Sequence, residues 1–277
     1  MSEEFISHDE YDAFRQFLED ASGIVLGDSK QYLVGSRLNR LMVQQKLKNF
    51  TELMQCLQTN RVNGLRERVI EAMTTNETMW FRDNYPFDAL KEHVFPSFAK
   101  LKERPLRIWS SACSTGQEPY SISMAFEEYQ LSNPGALSGG LDIIATDLST
   151  EAIKIAQLGH YDASSMSRGI DDARRDRYFK QHETVWEIMP RIKERVTFRQ
   201  LNLKDTYSLL GKFDVVFCRN VLIYFSMDLK SDILRRMSDT LNPNGFLLLG
   251  SSEVPNRYVS NFKMIRVTQG MLYQREN

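Results

Sequence analysis

The chain has 277 residues, 42% of them hydrophobic and 26% charged, with a formal net charge of −1. That is enough for one large domain or two modest ones with a real core, and it excludes any global electrostatic pull toward nucleic acid or membrane, so charge recognition must be local. Cys56, Cys113 and Cys218 lack CxxC spacing, and His8, His93, His160 and His182 lack metal-ligand spacing. We therefore expect no disulfide framework, a reducing cytoplasmic setting and no metal. The amino-terminal residues do not read as a leader, and no apolar run nears the roughly 20 residues of a membrane span.

Residues 8 to about 75 carry helical periodicity. Phe14, Phe17, Leu18 and Ala21 recur at helical spacing before Gly23, and Val34, Leu38, Leu41 and Met42 form a stripe over 31–47. Leu53, Leu57, Leu65 and Val69 continue the pattern with no strand signal. This predicts an all-α domain over 1–75. A linker over 76–100 follows, marked by Pro86 and Pro96.

After residue 100 the pattern alternates. Strands are predicted at 106–110, 142–146, 196–200, 213–218 and 246–250, with helices at 120–131, 150–158 and 228–241. Such alternation implies a parallel, doubly wound α/β sheet over 101–277. Short runs at 263–267 and 271–274 predict a terminal antiparallel hairpin. The charge-rich stretch of about 160–195 is too long for a bare loop and predicts an inserted subdomain.

Candidate site residues lie where predicted strands end, the usual place for ligands in open α/β sheets. The first strand runs into SACSTGQEPY at 111–120. GxGxxG is absent, and Glu118 occupies the place where a pyrophosphate needs an anion hole. A carboxylate there repels phosphate and suits a cationic or hydroxyl-bearing ligand, which disfavours NAD and favours S-adenosylmethionine. Its structural alternative is complementing the helix dipole. Asp147 closes IIATD and suits ribose hydroxyls or a helix cap. Asn202 and Leu203 suit an adenine edge and face, or an ordinary turn. FDVVFCRNVLIYF at 213–225 places Arg219 and Asn220 between two apolar runs. No base-and-orienter arrangement surrounds Cys113 or Cys218, so both are assigned to packing.

With TTNETMWFRD at 74–83 and helix-LNPNG-strand at 241–245, these segments resemble the CheR family over nearly the whole chain. The family's members are chemotaxis receptor methyltransferases, which esterify receptor glutamates with a methyl group from S-adenosylmethionine and release S-adenosylhomocysteine. The resemblance implies a helical amino-terminal domain joined to a Rossmann-like domain with an inserted β-subdomain. It implies that Asn76, Thr78 and Arg82 reach the cofactor from the linker side, and that Glu118, Asp147, Asn202, Leu203, Arg219 and Asn220 line the rest of its pocket. Arg82 and Tyr224 are the catalytic candidates, a cation to guide the acceptor carboxylate and a phenol to fix one oxygen. The partners implied are methyl-accepting chemotaxis receptors, met by a monomeric enzyme recruited to membrane receptor arrays.

The stretch 29–51 has no acidic residue and holds Lys30, Arg37, Arg40, Lys46 and Lys48. A solvated helix face explains this; so does substrate binding through Arg37 and Arg40, since receptor methylation helices present glutamates. The segment 179–186 lacks the glycine of peptide-gripping relatives, so no receptor-tail tether is expected. Competing readings are methylation of another acidic protein or small acid, and a non-catalytic S-adenosylmethionine sensor; a dehydrogenase fits least.

Overall fold

The computed structural model describes residues 6–59, 61–255 and 261–276. The chain forms two compact units, Met1–Thr75 with Tyr224–Leu229, and Asn76–Ile223 with Lys230–Asn277.

The first unit is helical: α1 (His8–Ser22), α2 (Gln31–Gln44), α3 (Phe50–Thr59) and α4 (Leu65–Met73). Ser7 and Glu10 start α1 as a capping box, and Gly23 stops it in the left-handed conformation. The apolar stripes seen in the sequence close on one another. Phe14, Leu18, Val34, Leu38, Leu53, Leu57, Leu65 and Val69 share one buried core. Tyr224 belongs to this unit, and its carbonyl accepts the Val25 N–H at 2.8 Å.

The second unit begins with residues expected to be a linker. Instead, α5 (Tyr85–Ala89), a π turn (Leu90–Val94) and α6 (Phe95–Ser97) run on as one helical segment, and Phe87, Leu90, Val94 and Phe95 enter the main core. Pro86 lies in the first turn of α5, where proline is tolerated, and Pro96 follows the π turn near the end of the same helical segment.

The remaining elements are β1 (Leu106–Ser110), α7 (Gln117–Ser132), β2 (Leu141–Asp147), α8 (Thr150–Leu158), β3 (His160–Asp162), α9 (Ala163–Met166), α10 (Asp172–Tyr178), β4 (Phe179–His182), β5 (Val185–Ile188), α11 (Pro190–Lys193), β6 (Val196–Gln200), β7 (Phe213–Cys218), α12 (Met227–Thr240), β8 (Leu241–Leu249), β9 (Phe262–Val267) and β10 (Gly270–Arg275). The main sheet has the order β6-β2-β1-β7-β8-β10-β9. Pairing is parallel from β6 to β8, and the terminal hairpin adds β10 antiparallel to β8. The fold is thus the expected Rossmann-like α/β sheet with an antiparallel terminal hairpin. The inserted stretch forms its own antiparallel sheet, β3-β5-β4.

Because β2 lies on one side of β1 and β7 on the other, the order of the chain reverses between β1 and β7. That switch point opens a crevice at the carboxyl ends of the strands. At the other end, Asp214 is scaffold: its buried carboxylate takes a bidentate Arg104 at 2.6 and 2.7 Å, the Arg107 N–H at 3.0 Å and Asn242 Nδ2 at 2.7 Å. Burial alone raises its pKa, but these donors outweigh it and hold the carboxyl below the usual value.

Candidate active site

The β1 loop turns sharply through Ser114 (φ 49) and Gly116 (φ 96) into α7. A side chain at Gly116 would collide with Ala156 Cβ at 2.9 Å, so only glycine serves there. Glu118, in the first turn of α7, accepts the Ser110 hydroxyl at 2.8 Å and Arg219 Nη1 at 3.0 Å.

Arg219 follows β7, and its side chain is 1% exposed. Its other terminal nitrogen donates to Asp83 Oδ2 at 2.7 Å and the Arg82 carbonyl at 2.9 Å. One guanidinium therefore ties together the α7 start, the β7 loop and the 76–83 segment. Arg82 itself is half-buried, with Nη1 donating to the Glu77 carbonyl at 3.3 Å.

Ser149 is the N-cap of α8, accepting the Ala152 N–H at 2.9 Å. Asp147, at the end of β2, accepts the backbone N–H groups of Ser114 at 2.8 Å and Ser149 at 2.9 Å, which joins the β1 and β2 loops. Asn76 is tied to the same place: its carbonyl accepts the Ser114 hydroxyl at 2.8 Å, and its amide donates to Ser149 Oγ at 3.3 Å. Thr78 is half-buried two residues on.

Asn202 follows β6. Its Oδ1 accepts the Lys204 N–H at 3.0 Å, the hydrogen bond of an Asx turn. Leu203 beside it is buried. Asn220 sits at φ 57, with its N–H donating to Glu253 Oε2 at 2.9 Å. Glu253 also accepts the N–H groups of Leu222 at 2.9 Å and Gly250 at 2.8 Å, so one buried carboxylate fixes the β7 loop to the β8 loop. Glu253, Asp83 and Ser114 escape sequence reasoning, since Asn220, Arg219 and Asp147, the partners that tie them in, are distant in the chain.

The structure thus forms two linked groups around the carboxyl ends of the strands: Asn76 with Asp147 through Ser114 and Ser149, and Glu118 with Arg82 through Arg219, beside which Asn220 follows in the chain. Arg37 and Arg40 are on α2 of the helical unit. Arg37 donates to the Met73 and Thr74 carbonyls at 2.7 and 3.1 Å and to Thr75 Oγ1 at 3.1 Å, closing the end of α4. Arg40 is exposed.

Arg219 Nε and Asn220 Oδ1 are buried without a hydrogen-bond partner among the described residues. Each unmet group costs about 1–3 kcal/mol, so a donor and an acceptor here call for a polar ligand. Burial pushes the Cys113 and Cys218 thiols well up, keeping both neutral. No group of residues suited to a metal ion occurs among the described residues.

Comparison with known proteins decides the family. The model of the CheR methyltransferase all-alpha domain matches residues 9–74, and that of the CheR methyltransferase SAM binding domain matches 76–271. The chain belongs to the CheR methyltransferase family. It is 52% identical over 267 residues to chemotaxis protein methyltransferase 1 of Pseudomonas aeruginosa, covering 96% of this chain and 97% of the relative. Identity is 51% over 269 residues with chemotaxis protein methyltransferase Cher2 of Pseudomonas putida, covering 96% and 97%. It is 46% over 270 residues with chemotaxis protein methyltransferase 1 of Vibrio cholerae, covering 97% and 98%. The CheR chain is thus an S-adenosylmethionine-dependent methyltransferase, and the site's chemistry fits that cofactor. Carboxylates suit its ammonium and ribose hydroxyls, and the orphaned polar atoms offer further hydrogen bonds.

Proposed function

We propose that this CheR protein methylates glutamate side chains of methyl-accepting chemotaxis receptors, forming methyl esters and S-adenosylhomocysteine. The observation that carries the reading is the Arg219-centred cluster, found in a chain matched along almost its full length by chemotaxis methyltransferases.

Asn76, Thr78, Arg82, Glu118, Asp147, Asn202, Leu203, Arg219 and Asn220 are assigned to the cofactor. Asp147 takes the ribose hydroxyls, and Glu118 the polar groups nearer the methionine end. Leu203 packs on the adenine, and the Asx turn at Asn202 holds it there. Bound there, the cofactor supplies an electrophilic methyl group on a sulfonium.

A glutamate carboxyl has an unperturbed pKa of about 4.3, so at pH 7 it arrives ionised and needs no general base. The protein's task is to align that carboxylate and strip its water. Arg82 guides it, and the Tyr224 hydroxyl fixes one oxygen. Tight binding by arginine would lower nucleophilicity, so these residues orient rather than activate. Arg40, with Arg37, draws acidic receptor helices. The enzyme acts as a monomer in the cytoplasm, at receptor arrays.

The test is incubation with labelled S-adenosylmethionine and receptor-containing membranes, scoring base-labile methyl esters. Labelling that is absent, or stable to base, overturns the glutamate assignment. Arg82→Ala and Tyr224→Phe should each remain folded and lose turnover; near-normal labelling by both removes them from the mechanism.

A further inference from the structure

We propose that the inserted sheet is a positioning device for the cofactor arm 76–83, so that its packing sets cofactor affinity and the placement of Arg82. The proposal rests on the reading that this arm lines the S-adenosylmethionine site.

The arm's backbone is strained. Phe81 and Asp83 have φ values of 47 and 68. Left-handed conformations at non-glycine residues cost on the order of 1–3 kcal/mol each, and they persist only where the surroundings over-determine them. Much of that surrounding comes from the insertion. Trp80 is fully buried, edge-on to Tyr161 of β3 at 4.8 Å and to Phe179 of β4 at 5.1 Å. Its backbone N–H donates to the Arg168 carbonyl and its indole N–H to the Ser165 carbonyl, both at 3.1 Å. Gly169 has φ +86, and a Cβ there would run into the Trp80 carbonyl oxygen.

The neighbouring residues repeat the pattern. The Arg174 guanidinium of α10 lies 3.9 Å from the Phe81 ring centroid, within cation–π range. Arg174 is held in turn by Glu128 of α7 at 2.7 and 3.0 Å, and Arg168 pairs with Glu77. The arm is therefore gripped by the insertion at Glu77, Trp80 and Phe81, and by Arg219 at Arg82 and Asp83. The arm's own bonds, Arg82 Nη1 to the Glu77 carbonyl at 3.3 Å and the Asn84 N–H to the Phe81 carbonyl at 2.8 Å, are few beside these. Any ligand or substitution that shifts the insertion moves the arm, and Arg82 with it.

Gly169→Ala and Arg174→Met test this, with calorimetric binding of S-adenosylhomocysteine, steady-state kinetics in S-adenosylmethionine and thermal melting. Gly169→Ala should raise Kd by about tenfold or more and lower kcat/KM by up to about 100-fold, the scale set by a displacement of about 1 Å. Arg174→Met should raise Kd and KM several-fold while the protein stays folded, and it decides the matter where Gly169→Ala does not fold. Lowered melting with Kd and KM within about twofold of wild type would mean ordinary core packing and overturns the proposal. Asp147→Asn is the control for the underlying reading. If it abolishes binding while the insertion variants bind normally, only the positioning role falls. If it too binds normally, the site assignment fails and the proposal fails with it.

Discussion

Replacing Glu118 by glutamine separates charge from shape at the centre of the site. In the native protein one carboxylate oxygen accepts the Ser110 hydroxyl at 2.8 Å and the other accepts Arg219 at 3.0 Å. The glutamine carbonyl can keep Arg219, while its NH2 turns to Ser110, whose oxygen accepts as readily as its hydroxyl donates. Arg219 retains Asp83 at 2.7 Å and the Arg82 carbonyl at 2.9 Å, so its buried charge stays paired. The stability loss should therefore stay near the net worth of a single hydrogen bond, about 1 kcal/mol. The cofactor, by contrast, loses an ionised partner. A hydrogen bond to a charged group is worth about 1.5–3 kcal/mol, which raises Kd by roughly 10- to 100-fold. Calorimetric titration with S-adenosylmethionine and S-adenosylhomocysteine, run beside urea unfolding, measures both quantities. A folded variant whose Kd stays within about twofold of wild type refutes the assignment and leaves Glu118 as a complement to the α7 dipole.

Further outcomes test the surrounding structure. Glu253→Gln cannot keep all of its bonds, because an NH2 group must then face a backbone N–H. It should lose about 1–3 kcal/mol in urea unfolding and weaken S-adenosylhomocysteine binding through Asn220, and unchanged values of both would remove Glu253 from the site's support. Asp214→Ala should cost about 3 kcal/mol, the low end for a broken buried pair because Arg104 can reach solvent. Since the folded pKa of Asp214 is depressed, its contribution is fully present above the unfolded value of about 3.9 and fades as pH falls through the folded one. The gap between wild type and Asp214→Ala should accordingly narrow in unfolding curves taken below about pH 4, and a gap constant with pH would contradict the linkage. Arg40→Glu should weaken receptor binding in a salt-dependent way without lowering the melting midpoint, whereas Arg37→Glu should lower the midpoint because it unties the end of α4. Equal, salt-independent binding by Arg40→Glu would assign that face to solvent.

The fold was legible wherever a short apolar run stood between polar breaks. The strands at 106–110, 196–200 and 213–218 fall where their β-branched and aromatic residues predicted. The reading failed where punctuation was ambiguous. Pro86 and Pro96 looked like a linker but lie within one helical segment, and LNPNG looked like a turn. There, Leu241 already belongs to β8 and pairs with Phe213, and a register shift follows before Phe246 pairs with Val215. A proline or glycine in sequence reports a dihedral restriction, not what the neighbouring chain does with it. For the candidate site, the strand-end rule picked out Glu118, Asp147, Arg219 and Asn220, and the structure puts them beyond the carboxyl ends of β1, β2 and β7. It missed Asp83 and Glu253 because a carboxylate in a polar loop looks the same whether it faces water or a buried donor.

That distinction explains how a chain of net charge −1 builds a charged site. Arg219 is buried, and a buried cation is tolerable only when paired and hydrogen-bonded. Its partners, Glu118 on the one hand and Asp83 with the Arg82 carbonyl on the other, come from separate segments, so satisfying one guanidinium requires the α7 start and the 76–83 segment to take up their places together. A lysine could not do this, because a point charge on a flexible stem has no fixed fork with which to hold two segments at set angles. The Arg219 Nε and Asn220 Oδ1 atoms left unmet beside that network carry a cost in the protein alone. A polar ligand that supplied their partners would recover that cost.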